Sequence, residues 1–248
     1  MRTALSLIIY VLGLTVQAPS QEKFQRFLVS KDIEVAQLSS HAYLYTTYSE
    51  VPRYGRVASN GLIFIEKGES LLFNSPMDDS LTAHLIAWIT DTLKVTIVGF
   101  VPNHWHADGL GGLNYINNAG IPTYACNKTI EIAKSKNLPI PQYGFSDSLV
   151  LRLGDQKAIC KYFGPAHTAD NIVIWIPSEK ILFGGCMLKE SKSESLGNTD
   201  DANLAQWPKT LTGVRTAYSS AEIVIPGHGA VGGTDIIQHT LDLLSKKK

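Results

Sequence analysis

The sequence predicts a mixed α/β (α+β) protein folded as a four-layer αββα sandwich, with two facing sheets and helices outside. Two observations lead to this fold class. Short apolar strands followed by an amphipathic helix occur twice along the 248 residues, which indicates two βα halves. A composition of 44% hydrophobic and 18% charged residues supplies an ample core. We therefore expect one domain, with its natural cleft at the interface of the two halves.

The first twenty residues have the pattern of a secretory signal peptide. Arg2 supplies the positive charge, a mostly apolar segment follows, and small residues at its end suit cleavage. The apolar segment is too short to span a membrane, and no cysteine precedes Cys126 to carry a lipid. We therefore expect cleavage of residues 1–20 and export of the domain at 21–248 to the periplasm, without a membrane anchor.

The first half begins with strands and continues with helices. Leu81, Leu85 and Trp88 recur at spacings of three and four residues, which predicts a helix capped by Ser80. Another helix is expected to begin at the cap Asn127. The predicted strands of this half lie at 33–38, 42–45, 62–65, 71–73, 95–101 and 121–124.

The second half repeats this order. A helix is expected to carry Leu204, Trp207 and Leu211 on one face, with Pro208 near its first turn. A last helix is expected to begin at Thr234. The predicted strands of this half lie at 148–152, 158–163, 172–176, 181–184 and 222–226.

Six potential metal ligands lie where predicted strands end, in a chain with seven histidines and three cysteines. One such residue would more often be structural, but six in equivalent positions indicate a metal centre. We expect two sets of three: the nitrogens of His104, His106 and His167 suit one metal, and Asp108, Cys186 and His228 could hold a second.

The number and type of these donors predict zinc chemistry. Thiolate and imidazole ligands favour zinc over magnesium or calcium. Three protein ligands per metal leave a fourth position open, whereas a closed structural site would use four. Zinc lowers the pKa of bound water to about 7, which provides a hydroxide nucleophile at neutral pH. Asp108 is expected both to bind a metal and to orient that water.

The charge balance argues against a nucleic-acid partner. The 22 basic and 22 acidic residues cancel, and no basic stripe interrupts the chain. Nothing in the sequence indicates an obligate interface, so a monomer is expected. Three cysteines in an oxidising compartment leave at least one free or metal-bound.

Five motifs follow one another along the chain: His104-Trp105-His106-Ala107-Asp108, His167-Thr168-Ala169-Asp170-Asn171, Gly184-Gly185-Cys186-Met187-Leu188-Lys189, Leu196-Gly197-Asn198 and Pro226-Gly227-His228-Gly229. In this order they resemble the class B metallo-β-lactamases, first subclass, and most closely the Bacteroides-type enzymes. Within this resemblance, Cys186 separates the subclass from thioesterase, nuclease and oxidoreductase relatives.

The resemblance implies two zinc ions per chain and hydrolysis of the β-lactam amide of penicillins, cephalosporins and carbapenems, which confers antibiotic resistance. It further implies that Lys189 pairs with the antibiotic's carboxylate and that Asn198 helps to polarise the lactam carbonyl. The hairpin tip with Val51 and Tyr54 resembles the family's mobile flap over the substrate.

Four further residues are expected to influence the metal ligands without binding the metal themselves. Thr168 and Asp170 are expected to fix ligand histidines, as outer groups usually do. Gly109 stands where the family more often has Arg, Cys or Ser, and Asn74 replaces a usual Asp. We hypothesise that Gly109 and Asn74 loosen the second zinc site.

Two alternatives remain open from the sequence. The first is another exported metal hydrolase of the same fold, acting on thioesters or lactones; Cys186, Lys189 and the export signal argue against it. The second is an exported zinc-binding protein with closed sites and no turnover, and three ligands per metal argue against that.

Overall fold

Two sheets pack face to face and helices cover both outer faces, as the sequence predicts. The computed structural model describes residues 24–247. The predicted signal peptide at 1–20 and the expected start of the exported domain lie outside the described residues. Within residues 24–247, no helix is long and apolar enough to cross a bilayer.

The first sheet has six strands, and their order in space follows the chain. Its last two strands, β5 and β6, are parallel, and the other neighbours are antiparallel. The strands are β1 (Gln25–Ser30), β2 (Ile33–Gln37), β3 (Ala42–Val51), β4 (Gly55–Glu66), β5 (Glu69–Phe73) and β6 (Thr96–Val101). The helices of this half are α1 (Asp79–Thr92), α2 (Ala107–Leu110), α3 (Leu113–Asn118) and α4 (Asn127–Ser135).

The second sheet has five strands in the order β13-β12-β11-β10-β9, and a small sheet pairs β7 with β8. Strands β12 and β13 run parallel, so their carboxyl ends meet at one edge. The strands are β7 (Tyr124–Cys126), β8 (Tyr143–Phe145), β9 (Ser148–Leu153), β10 (Gln156–Tyr162), β11 (Ile172–Ile176), β12 (Ile181–Gly185) and β13 (Ile223–Pro226). The helices are α5 (Trp207–Ala217) and α6 (Asp235–Ser245).

Three apolar layers separate the four layers of backbone. Phe64 of the first sheet and Phe183 of the second share the core between the sheets. Ile63 belongs instead to the core beneath α1 and α3, because successive side chains of a strand point to opposite faces. Trp207 and Ile237 pack on the outer face of the second sheet. The αββα sandwich is thereby confirmed.

Several element boundaries differ from the sequence prediction. Helix α1 is capped by Asp78 rather than Ser80, because the Asp78 carboxylate accepts the Leu81 N–H at 2.8 Å. Helix α4 is preceded by Cys126, since the Asn127 side chain donates to Ser146 instead of capping.

Three further elements were misplaced or missed. Strand β7 lies at Tyr124–Cys126, later than predicted, because it pairs with β8, which the sequence analysis did not find. Strand β1 was also missed: half of its residues are exposed and the others are only partly buried, and backbone pairing with β2 defines it. Leu204 lies before α5 and is 41% exposed, so it is not part of the helix's apolar face.

Candidate metal centre

All six predicted ligands lie at one end of the sandwich, at or near the carboxyl ends of strands. His104 and His106 follow β6, and Asp108 lies in the single turn of α2. His167 lies in the loop between β10 and β11. Cys186 directly follows β12 and His228 follows β13, and the parallel pairing of these strands brings both side chains together.

The donor atoms form one connected cluster. The Nδ1 atom of His106 lies 3.2 Å from Nε2 of His167. The Sγ atom of Cys186 lies 2.9 Å from Oδ2 of Asp108 and 3.3 Å from Nε2 of His228. The His104 Nε2 atom is 3.4 Å from Oδ1 of Asp108. Three overlapping groups have ligand atoms within 4.8 Å of one another: His104, His167 and Cys186; His104, His106 and Asp108; and Asp108, Cys186 and His228.

In two of the imidazoles, the ring nitrogen that points away from the cluster contacts another group of the protein. Nδ1 of His228 donates to the Ala58 carbonyl at 2.7 Å, which directs its Nε2 atom at Cys186. Nδ1 of His104 lies 2.6 Å from the Asn103 side-chain oxygen. Such contacts orient a metal-binding imidazole and fix its tautomer.

A divalent cation fits this cluster. Nε2 of His104 is buried and has no hydrogen-bond partner among residues 24–247, and a buried polar atom left unpaired is costly. Burial lowers the pKa of His104 to about 3 and that of His167 well below its ordinary value, so both rings are neutral and offer lone pairs. Burial and the Asp108 carboxylate raise the pKa of the Cys186 thiol, which a bound cation would reverse.

Asp108 is the acidic member of the cluster and is 7% exposed. Burial by itself raises the pKa of this carboxyl, but His104, His228 and the Cys186 thiol outweigh that effect and hold the pKa below its ordinary value. Asp108 is therefore a carboxylate at neutral pH and can serve as an anionic ligand.

A cavity of about 320 Å³ opens directly over the donors, and its opposite wall is apolar. The β3–β4 hairpin contributes Val51, Tyr54 and Val57 to this wall, and Met77 completes it. Tyr54 is 52% exposed at the hairpin tip. The structure thus places the predicted flap residues against the cavity.

Lys189 and Asn198 line the same cavity. Lys189 is 8% exposed, its ammonium lies 5.8 Å from the Trp207 ring, and burial lowers its pKa. The Asn198 side-chain oxygen accepts the Asp200 N–H at 3.0 Å, which leaves its amide N–H groups as the donors for a bound molecule. Trp207 was expected only as a core residue. Its ring also packs edge to face against the His167 ring, with 5.9 Å between the ring centres.

The expected role of Thr168 and Asp170 in holding histidines is not seen. Asp170 Oδ2 instead accepts a hydrogen bond from Thr129 at 2.7 Å, and the Thr168 hydroxyl reaches no histidine nitrogen in the described chain. Asp201, which the sequence analysis missed, lies 2.9 Å from Nε2 of His106. No sequence signal pairs these two residues, because they are 95 positions apart and Asp201 is in an irregular loop.

Asn74 and Gly109 both lie next to groups that position His104. The Asn74 side-chain oxygen accepts the Asn103 N–H at 2.8 Å, and Asn103 in turn contacts His104. A Cβ atom on Gly109 would lie 2.5 Å from the His104 carbonyl oxygen, so a larger residue would have to displace backbone. Both residues therefore bear more directly on the three-histidine set than on Cys186 and His228.

Comparisons with known proteins agree with this geometry. A family model, the Metallo-beta-lactamase superfamily, matches residues 104–228. The chain is 42% identical over 246 residues to the Metallo-beta-lactamase type 2 of Bacteroides fragilis, covering 99% of this chain and 97% of the relative. The metallo-beta-lactamase from Pontibacter korlensis is similar in structure, with a TM-score of 0.83, 34% identity, and coverage of 86% and 99%. FIM-1 from Pseudomonas aeruginosa, solved in a mono-zinc form, has a TM-score of 0.82, 33% identity, and coverage of 88% and 98%.

Proposed function

Since the chain belongs to the metallo-beta-lactamase superfamily, whose named relatives are hydrolases of β-lactams, we propose that it hydrolyses the β-lactam amide bond of antibiotics. The observation that carries the proposal is the convergence of six imidazole, carboxylate and thiol donors, five of which line one cavity. The substrates would be penicillins, cephalosporins and carbapenems, and their destruction would confer antibiotic resistance.

The metal would be zinc, with two ions per chain. Three histidines would hold one ion, and Asp108, Cys186 and His228 would hold the other. The mixed nitrogen, oxygen and sulfur donors support zinc, and so does the mono-zinc form of the similar FIM-1. We further propose that the working protein is a monomer, a single domain at 21–248 exported to the periplasm.

The protein's own residues would orient the substrate and the attacking water. When bound, the metal would supply a Lewis acid and lower the pKa of a water molecule. Lys189 would pair with the substrate carboxylate, and the Asn198 amide would donate to the lactam carbonyl oxygen as negative charge develops there. Asp108 would orient the water through its free lone pairs. Val51 and Tyr54 would cover the substrate's apolar part and exclude bulk water.

Hydrolysis assays with metal removal test this function. We expect the purified protein to open a penicillin, the cephalosporin nitrocefin and a carbapenem, to lose the activity with a zinc chelator, and to regain it on zinc addition. A glutathione thioester assayed alongside should be turned over poorly. Faster thioester hydrolysis, or zinc binding without chelator-sensitive β-lactam hydrolysis, would contradict the proposal.

Replacing Asn74 by Asp tests the hypothesis that Asn74 loosens the second zinc site. Its Nδ2 atom is buried and has no hydrogen-bond partner in the described chain. We expect Asn74→Asp to tighten metal binding about tenfold, because a carboxylate behind Asn103 favours a cation at His104. Chelator competition would measure the affinity of both sites and reveal whether the first or the second changes.

Asn118→Asp, which adds the same charge at an exposed position of α3, is the matched control and should leave both affinities unchanged. Gly109→Arg is a poorer test, because the Cβ contact with the His104 carbonyl would move the ligand itself. Equal affinities in Asn74→Asp and the parent protein would rule the hypothesis out.

A further inference from the structure

Helix α4 touches both loops that carry the facing histidines, one near each of its ends. We propose that α4 is a brace that sets the spacing of His106 and His167, and that Thr129 and Lys136 are its positioning residues. The inference rests on the metal ligation in the proposed function. It adds a role to a helix that contributes no ligand and no residue to the cavity wall.

The first contact is a buried hydrogen bond near the amino end of the helix. The Thr129 hydroxyl donates to Oδ2 of Asp170 at 2.7 Å, and the two residues are 1% and 0% exposed. Asp170 lies in the loop of His167, three residues further along the chain. A hydrogen bond to a buried carboxylate is strong and directional, so Thr129 fixes this loop against the helix.

The second contact is a cation–π pair at the carboxyl end. The Lys136 ammonium lies 4.3 Å from the centre of the Trp105 ring. Trp105 lies between His104 and His106 in sequence, and its ring meets the His106 ring edge to face, 4.4 Å between centres. A lysine over an indole face is attractive, so Lys136 holds Trp105 and, through it, the plane of His106.

The helix between these contacts is itself fixed. Ala133 is buried in the core that includes α1 and α3. Strand β7 leads directly into the helix and is paired with β8. Two loops attached to one anchored element cannot shift independently. The contact between Nδ1 of His106 and Nε2 of His167, at 3.2 Å, is therefore maintained across the interface of the two halves.

Such a brace should affect the affinity of one metal site more than that of the other. Loosening it should weaken a metal held by His106 and His167, because their nitrogens would no longer be preorganised. A metal held by Asp108, Cys186 and His228 should be affected much less, because β12, β13 and the Ala58 carbonyl position Cys186 and His228, and Asp108 lies within the turn of α2. General destabilisation would weaken both sites alike, so the two sites serve as mutual controls.

Cobalt(II) titration of the full-length protein can read the two sites separately. Thiolate-to-cobalt charge-transfer absorption reports the Cys186 site, and the visible ligand-field bands report both sites. We expect Thr129→Val to weaken the histidine site about tenfold to hundredfold, as loss of outer-shell partners usually does. Lys136→Met should weaken it about twofold to fivefold. The Cys186 site should lose much less affinity in both variants.

Two conservative variants complete the design: Thr129→Ser keeps the hydroxyl and Lys136→Arg keeps the cation, so both should retain the parent affinity. Lys136 is exposed, so its variants fold even if Thr129→Val does not. Equal weakening of both sites, or no weakening in either variant, would overturn the brace. Cobalt binding that follows the expected pattern in a protein inert toward β-lactams would support the brace and contradict the proposed function.

Discussion

Replacing Cys186 by Ala is expected to remove one of two bound metals and to lower kcat/KM for β-lactams by about 10²-fold or more. The thiol lies within reach of both Asp108 and His228, so its loss leaves that group with two donors. A metal that stabilises developing charge contributes several kcal/mol, and a hundredfold loss corresponds to about 3 kcal/mol. Metal content per chain and steady-state kinetics would measure the two effects together.

Cys160→Ala is the matched control for this experiment. Cys160 lies in β10 and is buried like Cys186, but it belongs to the apolar core between the sheets, where burial raises the pKa of its thiol. Its replacement should cost some stability and leave metal content and kinetics intact. Two metals and parental kinetics in Cys186→Ala would show that Cys186 is a structural thiol.

Replacing Lys189 by Met is expected to raise KM for β-lactams about tenfold to hundredfold, with a much smaller change in kcat. A hydrogen bond to a charged group contributes about 1.5–3 kcal/mol. The carboxylate of the substrate takes no part in the bond that breaks and keeps its charge throughout, so the ammonium would bind the ground state and the transition state about equally. Met is similar in length and apolar, so it can pack against Trp207 in place of the lysine stem.

A substrate methyl ester sharpens this test. The parent protein should prefer the free acid to the ester, and Lys189→Met should lose that preference. Lys189→Arg should retain part of it, and Lys192→Met, at an exposed lysine of the same loop, should retain all of it. A fall in kcat at constant KM, with the preference for the acid unchanged, would mean that Lys189 does not bind the carboxylate.

The fold and the ligand candidates could be predicted because their signals are local. Apolar periodicity identified β6, β11 and β12, since the side chains of buried strands must be apolar. The ligands were recognisable because each stands where such a strand ends. Strand β1 escaped prediction because its backbone pairs with β2 while none of its six residues is fully buried, so its side chains carry no clear apolar pattern.

The contacts behind the ligands could not be predicted in the same way. Asp201 reaches His106 across 95 positions, and Thr129 reaches Asp170 across 41. From the sequence, Thr168 and Asp170 were instead expected to hold ligand histidines, as groups beside a metal ligand usually do. Adjacent residues in an irregular loop often point in different directions, so sequence proximity is a poor guide to hydrogen-bond partners.

The sequence by itself determined the αββα architecture, the family resemblance and the six donors, because these depend on residue type and on position relative to strand ends. Only the tertiary structure decided which atoms meet. The parallel pairing of β12 and β13 brings Cys186 to His228, and the packing of the two halves brings His106 to His167. Distances and orientations across an interface depend on the packing of the whole chain, and no local pattern encodes them.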